Sequence, residues 1–271
     1  MEAAAAELPV LGSGSGPDIA VHVLTGRRFW YQTAFCLWSL SRQSGRIIAP
    51  VFYNDGTLDE PTRAPLLRLF PLARVVEKHA SVANLDSFLP AALYPALRER
   101  WSHYPHIRKL IDPHVGQTGW KLVLDSDLLF FRRPDFLLSW LDGPAKPLHA
   151  VDCISSYGYP RQLMDKLAGR AVADLVNVGL TGLNGQLLDW DRIEHWCSLL
   201  LEKEGTSYYL EQALTAMVLA GHDCAVAPGA DYVTLPCPPE ADECRAVMHH
   251  YVAQSKRWYF RYNWKKAMGA P

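Results

Sequence analysis

Apolar and polar positions follow two alternating periodicities along the first part of the chain. Residues 18–25, 46–55 and 73–77 are short apolar runs bounded by turn-forming or charged residues. Between them, apolar positions in 30–41 follow helical spacing, and residues 57–71 carry an early proline and end at another. The pattern predicts strand, helix, strand, helix, strand, which is typical of a doubly wound parallel sheet.

The rest of the chain continues the alternation of helices and strands. We predict one α/β domain over residues 18–271, with a mainly parallel, Rossmann-like sheet flanked by helices. Residues 1–17, rich in Ala, Gly, Ser and Pro, are predicted to be a flexible N-terminal arm. The further helices are predicted at 88–102, 105–112, 159–168, 189–203 and 207–220, and the further strands at 121–125, 148–152, 174–184, 223–227 and 246–252.

Composition narrows the class of protein. The chain has 271 residues, 49% of them hydrophobic, and a formal net charge of −1. A core can therefore form, and the strongly basic surface expected of a nucleic-acid-binding domain is missing. No apolar run reaches the roughly 18 residues of a transmembrane helix, and the N-terminus lacks a signal-peptide pattern. We expect a cytoplasmic protein whose six cysteines are reduced thiols.

The segment "KLVLDSDLLFF" holds the strongest candidate chemistry. Asp125 and Asp127 come directly after an apolar strand, at the edge where ligands of open α/β sheets bind. Burying carboxylates costs several kcal/mol each unless a cation or hydrogen bonds compensate. Two carboxylates without a complete protein cage suit Mn²⁺ or Mg²⁺, which take further ligands from water and from a substrate's phosphates.

Two other interpretations of this motif remain open at this point. The two acids could simply occupy a turn or a helix cap, where Asp is common. A phosphatase with an aspartyl nucleophile also has D-x-D after an apolar strand. Such enzymes have Thr or a small residue after the second acid and place the motif on their first strand, whereas Leu128 follows here and some 120 residues precede.

Several blocks of the sequence, in order over about residues 18–260, resemble retaining nucleotide-sugar glycosyltransferases of family eight, which have the GT-A fold. "WKLVLDSDLLFFRRPDF" resembles the family's metal-binding strand, and "LVNVGLTGLNGQLLDW" resembles its Asn-x-Gly segment. "LEQAL" resembles its Asp-Gln-Asp helix start, with Glu211 in place of the first Asp. "HYVAQSKRW" resembles its C-terminal His-x-x-Gly-x-x-Lys-Pro-Trp motif.

The resemblance implies a function and a metal site. It implies a hexosyltransferase that moves a hexose from a nucleoside-diphosphate sugar, expected to be a UDP-sugar, to a hydroxyl acceptor with retention. Asp125, Asp127 and His250 would hold Mn²⁺ (or Mg²⁺), and Lys256 would contact the diphosphate. Both roles are chemically reasonable, because a metal and an ammonium stabilise charge on the departing nucleotide.

The resemblance also implies residues that contact the donor. Leu24, Thr25 and Gly26, at the end of the first strand, would face the nucleoside. Arg108 resembles the basic residue on the helix before the metal-binding strand, and Ser126 lies between the two acids of the motif.

Three further residues are expected near the reacting sugar carbon. Asp152 resembles the acid that binds the donor sugar's hydroxyls, and Asn177 and Gln212 resemble side chains beside the anomeric carbon. Simpler interpretations are a turn cap for Asn177 and a polar position on a helix face for Gln212.

Departures from the family's pattern leave two other functions open. Ala253 occupies the Gly position of the C-terminal motif, Arg257 occupies the Pro position, and "TGRRFWY" replaces the acidic first loop. A nucleotide-binding relative without turnover is one alternative. A metal-dependent phosphohydrolase that uses the D-x-D carboxylates is the other.

The C-terminal stretch "KRWYFRYNWKK" interleaves cations with aromatic residues. Such a pattern can lie at an anionic membrane surface, so peripheral membrane contact is one interpretation. We favour packing of the aromatic side chains on the domain, because interfacial helices need a longer apolar face.

Overall fold

The structure is a computed structural model that describes residues 1–12, 14 and 16–269. The apolar runs form strands as the sequence predicts, and two further strands of three residues each lie at Leu128–Phe130 and Tyr232–Thr234. The strands are β1 Ile19–Thr25, β2 Ile48–Asn54, β3 Arg74–Val76, β4 Trp120–Leu124, β5 Leu128–Phe130, β6 Leu148–Val151, β7 Val176–Asn184, β8 Ala225–Val226, β9 Tyr232–Thr234 and β10 Met248–His250.

Helices fill most of the connections between these strands. The helices are α1 Glu2–Ala6, α2 Trp30–Ser44, α3 Glu60–Leu69, α4 Lys78–Phe88, α5 Pro95–His103, α6 Arg108–Ile111, α7 Asp135–Asp142, α8 Arg161–Ala168, α9 Trp190–Glu204, α10 Leu210–Leu219, α11 Pro238–Glu243, α12 Lys256–Trp258 and α13 Trp264–Ala267.

Seven strands form the central sheet, in the order β3-β2-β1-β4-β7-β6-β8. β1 pairs in parallel with β2 and β4, β2 with β3, and β6 with β8, whereas β7 runs antiparallel to both β4 and β6. The predicted fold class, a mainly parallel sheet flanked by helices in one domain, is confirmed.

Two hydrophobic clusters explain why the apolar runs become strands. One contains Val21 and Val23 of β1 together with Phe35 and Leu37 of α2. The other contains residues of α5, α6, α9 and α10, with Leu214 among them. Strands covered by helices on both sides need apolar residues at nearly every position, which is why they appear as continuous runs.

A small second sheet positions one end of the candidate site. Its order is β5-β10-β9, with β10 antiparallel to β5 and parallel to β9. His250 pairs with Leu128, and the Tyr251 amide donates to the Asp127 carbonyl at 3.0 Å. This pairing brings the end of the chain beside the D-x-D segment.

Proline explains one difference from the predicted helices. The stretch 88–102 was predicted as one helix, but α4 ends at Phe88 and α5 begins at Pro95. Pro90 and Pro95 lie between and at the start of these helices, and proline is tolerated in the first helical turn but breaks a helix interior. The connection therefore turns instead of continuing the helix.

The N-terminal segment contacts the domain. Ala5 of α1 is buried, Arg68 donates to the carbonyls of Ala6 and Leu8, and the Trp38 indole donates to the Pro9 carbonyl at 2.9 Å. The part of the predicted arm at residues 13 and 15 lies outside the described residues, as do residues 270 and 271 of the predicted domain. The flexibility of the arm stays a prediction.

The C-terminal aromatic side chains partly pack inward. Tyr259 and Trp264 are buried, and the Trp264 ring lies 5.1 Å from that of Phe35 on α2. Phe260 stays 41% exposed. No helix in the described part of the chain is long and apolar enough to cross a bilayer. A cytoplasmic location and a peripheral membrane contact stay predictions.

Candidate metal and donor site

Asp125 and Asp127 lie in the turn that joins β4 to β5, at the carboxyl end of a central strand. The Asp125 amide donates to the Gly179 carbonyl of β7 at 2.8 Å, so the sheet hydrogen bonding continues into the motif. The segment forms a turn, and within it the two carboxylates converge. One ligand atom each from Asp125, Asp127 and His250 lie within 4.8 Å of one another.

His250 faces both carboxylates. Its Nε2 lies 3.3 Å from Asp127 Oδ1 and 3.7 Å from Asp125 Oδ2, and the side chain is buried. Strand β10 delivers it there through its pairing with β5. His250, more than 120 positions further along the chain, therefore joins Asp125 and Asp127, and the three residues present two oxygens and one nitrogen to a common point.

The orientation of Asn177 determines which nitrogen of His250 carries a proton. Asn177 Nδ2 donates to Asp152 Oδ2 at 3.3 Å, and Asn177 Oδ1 accepts from the Gly179 amide at 3.0 Å. Both contacts fix which atom of the Asn177 amide is the nitrogen and which is the oxygen, since a carboxylate accepts and a backbone N–H donates. Asn177 Oδ1 lies 3.0 Å from His250 Nδ1. Nδ1 must therefore be protonated, and Nε2 is the nitrogen that can bind a metal.

The electrostatics of the cluster fit a divalent cation. Burial alone would raise the pKa of Asp127, but hydrogen bonding to His250 and the charge of Lys256 outweigh it and hold the pKa well below its usual range. Burial alone would lower the pKa of His250, but Asp127 and Asp125 outweigh it and raise the pKa. The two acids thus favour a positive charge beside Nε2. A divalent cation can supply that charge, because oxygen and imidazole ligands suit Mn²⁺.

Lys256 adds a partly exposed positive charge to this cluster. Its Nζ lies 3.1 Å from Asp127 Oδ2, and its side chain is 46% exposed. It starts α12, directly after a 3₁₀ turn at Ala253–Ser255. Ala253 has a φ of 45°, in the left-handed region that favours glycine. The Gly position of the family's motif thus keeps a glycine-like backbone here, despite the Ala side chain.

Two basic neighbours on α6 have different surroundings. Arg108 is buried away from the carboxylates: its Nε donates to Asp112 at 2.9 Å and its Nη2 to the Asn54 carbonyl at 2.9 Å. Lys109 instead places its Nζ 2.7 Å from Asp125 Oδ1. The residue that the structure brings to the site is thus Lys109. Arg108, expected there from the resemblance, has its guanidinium engaged elsewhere.

Glu211 completes a buried charge cluster with Lys109. Its Oε2 lies 3.3 Å from Lys109 Nζ, and its side chain is buried. Burial raises the pKa of Glu211 to about 7 against the opposing charge of Lys109. Burial alone would lower the pKa of Lys109, but Asp125 and Glu211 outweigh it and raise the pKa. One cation between two buried acids favours the protonated form of the more weakly paired acid.

A hydrogen-bonded group of polar side chains adjoins the metal ligands. Asp152 Oδ2 accepts from Asn177 and, at 3.0 Å, from Gln212 Nε2, which also donates to the Ser156 carbonyl at 2.9 Å. All three predicted residues, Asp152, Asn177 and Gln212, are buried and in contact. Because both N–H groups of the Gln212 amide are used, its carbonyl oxygen is the group left for a ligand.

The residues expected to face the nucleoside lie at the carboxyl end of β1. Leu24 and Thr25 end β1, and the Thr25 hydroxyl lies 2.8 Å from that of Thr33 on α2. The Asp55 carboxylate covers Gly26 so closely that a Cβ there would lie about 2.1 Å from Asp55 Oδ1. Ser126 lies half-buried in the turn between the two acids of the motif.

Comparisons of the sequence alone give no relatives. No protein-family model matches the sequence. No curated protein matches it either.

Solved structures do match. Mouse xyloside xylosyltransferase 1, in its apo form, superimposes with a TM-score of 0.58, at 15% identity over 89% of this chain and 99% of that chain. The galactosyltransferase LgtC, in complex with donor and acceptor sugar analogs, gives 0.56 at 13% identity over 93% and 98%. This chain has the GT-A fold. The mannosyltransferase Ktr4p from S. cerevisiae gives 0.50 at 8% identity over 81% and 74%.

The candidate metal residues lie at the edge of the GT-A sheet where ligands are expected. Asp125, Asp127 and His250 lie beyond the carboxyl end of β4, the side on which open α/β sheets bind ligands. Neither Lys109 nor Gly179 was predicted as a site residue. Gly179, the glycine of the Asn-x-Gly segment, leaves space for the His250 ring, because a Cβ there would lie 2.3 Å from His250 Cε1. A glycine inside a strand can indicate a close contact, but the sequence does not identify the contacting side chain.

Proposed function

We propose that this protein is a metal-dependent glycosyltransferase that transfers a hexose from a UDP-sugar to a hydroxyl acceptor. The observation that carries the proposal is the meeting of Asp125, Asp127 and His250 at the carboxyl edge of a GT-A sheet. Lys256, in contact with Asp127, adds a partly exposed cation at the same point. A site with two acids, one imidazole and one ammonium suits the diphosphate of a nucleotide sugar.

The proposed chemistry at the leaving group follows from these charges. Breaking the sugar–phosphate bond leaves negative charge on the nucleoside diphosphate. A divalent cation, Mn²⁺ or Mg²⁺, held by Asp125, Asp127 and His250, would neutralise part of this charge when bound. Lys256 would donate to the same phosphates, since its exposed side chain can exchange Asp127 for a phosphate oxygen. Asn177 keeps a proton on His250 Nδ1 and so leaves Nε2 free as a ligand.

The proposed sugar side of the site is neutral or acidic. Asp152 would accept hydrogen bonds from the donor's hydroxyls while Gln212 and Asn177 hold its carboxylate. The carbonyl oxygen of Gln212 would face the positive charge that develops on the anomeric carbon. A neutral amide is a poor nucleophile, so we propose retention by front-face attack. The acceptor oxygen then bonds to the anomeric carbon as the sugar–phosphate bond breaks, and the departing phosphate takes the acceptor's proton.

Calorimetric titration of UDP and then GDP, each with and without Mn²⁺, tests the donor site. We expect UDP to bind only with Mn²⁺, and we expect Asp127→Asn to abolish that binding because it removes a ligand charge without changing shape. Asp135→Asn is the matched control, since that acid is 78% exposed at the start of α7. Absence of nucleotide binding in all conditions would refute the proposal.

Product analysis separates transfer from the two alternative functions. The protein is incubated with Mn²⁺ and UDP-hexoses, with and without a panel of saccharide acceptors. Acceptor-dependent release of UDP with a glycosylated product supports transfer. A phosphohydrolase would cleave the donor's phosphate bonds at the same rate without an acceptor. A protein that only binds nucleotide would leave every donor intact.

A further inference from the structure

A polar cavity lies against one face of the central sheet, beside strands β1 to β4 and helix α4. It has a volume of about 200 Å³. Its lining contains neither Lys256 nor any residue of the metal cluster, so the cavity is not part of that cluster. The polar residues of its lining are His22, Tyr53, Arg74, Ser81, Asn84, Asp112, Gln117 and Lys121.

Two cations line this cavity without an acidic partner. Neither Arg74 nor Lys121 forms an ion pair with any residue in the described ranges 1–12, 14 and 16–269. The Lys121 ammonium donates to the Thr118 carbonyl at 2.6 Å. Burial and the nearby charge of Arg74 lower the pKa of Lys121. An anion bound in the cavity would offset the repulsion between these two cations.

The single acid in the lining does not neutralise these cations. Asp112 Oδ1 accepts from the Trp101 indole at 2.6 Å, and Oδ2 accepts from Arg108 Nε at 2.9 Å. Arg108 also stacks on the Trp101 ring at 4.6 Å. The charge of Asp112 is thus already balanced on its buried side. The cavity keeps an excess of positive charge from Arg74 and Lys121.

Neutral hydrogen-bonding groups complete the lining. The Ser81 hydroxyl is buried, neighbours Asp112, and makes no hydrogen bond of normal geometry in the described part of the chain. A ligand in the cavity could accept a hydrogen bond from this hydroxyl. Tyr53 Oη lies 3.0 Å from His22 Nδ1. Burial and nearby cations lower the pKa of His22 to about 3, so its ring is neutral.

We propose that this cavity binds a small phosphate-bearing molecule, with the phosphate dianion between Arg74 and Lys121 and the Ser81 hydroxyl as an additional donor. Two cations match the two charges of a phosphate monoester better than the single charge of a carboxylate. A volume of about 200 Å³ holds roughly seven water molecules at ~30 Å³ each, which is room for phosphate and a few attached atoms. The inference is independent of the proposed glycosyl transfer.

Calorimetric titration of inorganic phosphate into the full chain at pH 8 and constant ionic strength tests the site. We expect Arg74→Gln and Lys121→Gln each to weaken phosphate binding at least about tenfold, because each removes one charged hydrogen-bond donor. Lys203→Gln, an exposed lysine on α9, is the matched control. Lys256→Gln removes the cation of the donor site instead. Lys203→Gln should bind phosphate like the unchanged protein, whereas Lys256→Gln reports phosphate bound at the donor site.

Three results would overturn the proposal. The first is absence of phosphate binding to the unchanged protein. The second is phosphate binding by Arg74→Gln and Lys121→Gln that is as tight as that of the unchanged protein. The third is loss of phosphate binding in Lys256→Gln alone, which would assign the phosphate to the donor site. Acetate tests the ligand class, since acetate binding as tight as phosphate binding would contradict a dianion site. Thermal unfolding with and without phosphate gives a second readout: bound phosphate raises the melting temperature of the unchanged protein, and the two cavity variants lose that rise.

Discussion

Gly179→Ala should displace one candidate metal ligand, His250, without replacing any titratable residue. Gly179 lies inside β7 with ordinary strand backbone, so alanine adopts the conformation without strain. A Cβ at this position would lie 2.3 Å from Cε1, 2.5 Å from Nδ1 and 2.9 Å from Nε2 of His250. The imidazole is therefore the group that has to move.

The size of the effect follows from these distances. Carbon atoms in contact are normally about 3.5–4.0 Å apart, so the ring must shift by roughly 1 Å or more. Metal-ligand distances tolerate only about 0.2 Å, so the displaced Nε2 can no longer join Asp125 and Asp127. We expect Mn²⁺ affinity to fall about 10- to 100-fold, the range seen when the groups that orient a ligand are removed. Overpacking should also lower the free energy of unfolding by about 1–3 kcal/mol.

Gly182→Ala is the matched control for this experiment. Gly182 lies in the same strand, and a Cβ there would lie 2.4 Å from the Trp140 ring and 2.9 Å from Leu148 Cβ. It should cost similar stability but leave the metal ligands in place. Mn²⁺ titration by calorimetry, with chemical denaturation of both variants, separates the two effects. Equal Mn²⁺ affinity of the Gly179 and Gly182 variants would refute the assignment of His250 as a ligand.

Three further predictions concern the polar groups around these ligands. Asn177→Ala should lower Mn²⁺ affinity about 10- to 100-fold, because the His250 proton is no longer fixed on Nδ1. The ¹⁵N chemical shifts of the imidazole report the tautomer, and an unchanged tautomer would contradict the role of Asn177. Lys109→Met should lower the free energy of unfolding at pH 8 by about 3–5 kcal/mol, because it removes the cation from the buried Glu211 carboxylate and the partly buried Asp125 carboxylate. Denaturation at pH 8 checks this, and a loss below about 1 kcal/mol would contradict the role of Lys109. In the metal-free protein, the Glu211 carboxyl has a pKa of about 7 when folded, against 4.5 when unfolded. Its protonated form therefore stabilises the folded state fully below pH 4.5, and this contribution falls by about 3 kcal/mol as the pH rises to 7. Glu211→Gln should remove that pH dependence, and denaturation profiles of equal slope for both proteins would show that the pKa of Glu211 is not raised.

The packing of α6 explains why Lys109, and not its neighbour Arg108, contacts Asp125. Neighbouring residues on a helix point about 100° apart, so only one of them can face Asp125. Arg108 is held on the other side by Asp112 and the Trp101 ring. The sequence "IRKL" contains no signal that distinguishes these two directions, because the choice depends on what packs against each face of α6.

The local pattern of the sequence was sufficient to predict most elements and the fold class. Apolar runs of five to ten residues and helical spacing are encoded within short windows, so strands such as β1 and β4 and helices such as α2 and α10 lie where the sequence predicts them. The D-x-D acids were also recognisable locally, because carboxylates directly after an apolar strand need a compensating cation. The remaining candidate residues came from a resemblance, and the structure brings Asp152, Asn177 and Gln212 into contact.

Tertiary structure alone decided how these pieces meet. Strands β5 and β9 have three residues each, too few to show a periodicity, and they form only because β10 pairs with both. That pairing brings His250 to Asp127 across more than 120 residues. The antiparallel direction of β7, the protonated nitrogen of His250 and the choice of Lys109 likewise depend on partners distant in the chain. Residue type determines which chemistry a side chain can perform, whereas long-range packing determines which side chains perform it together.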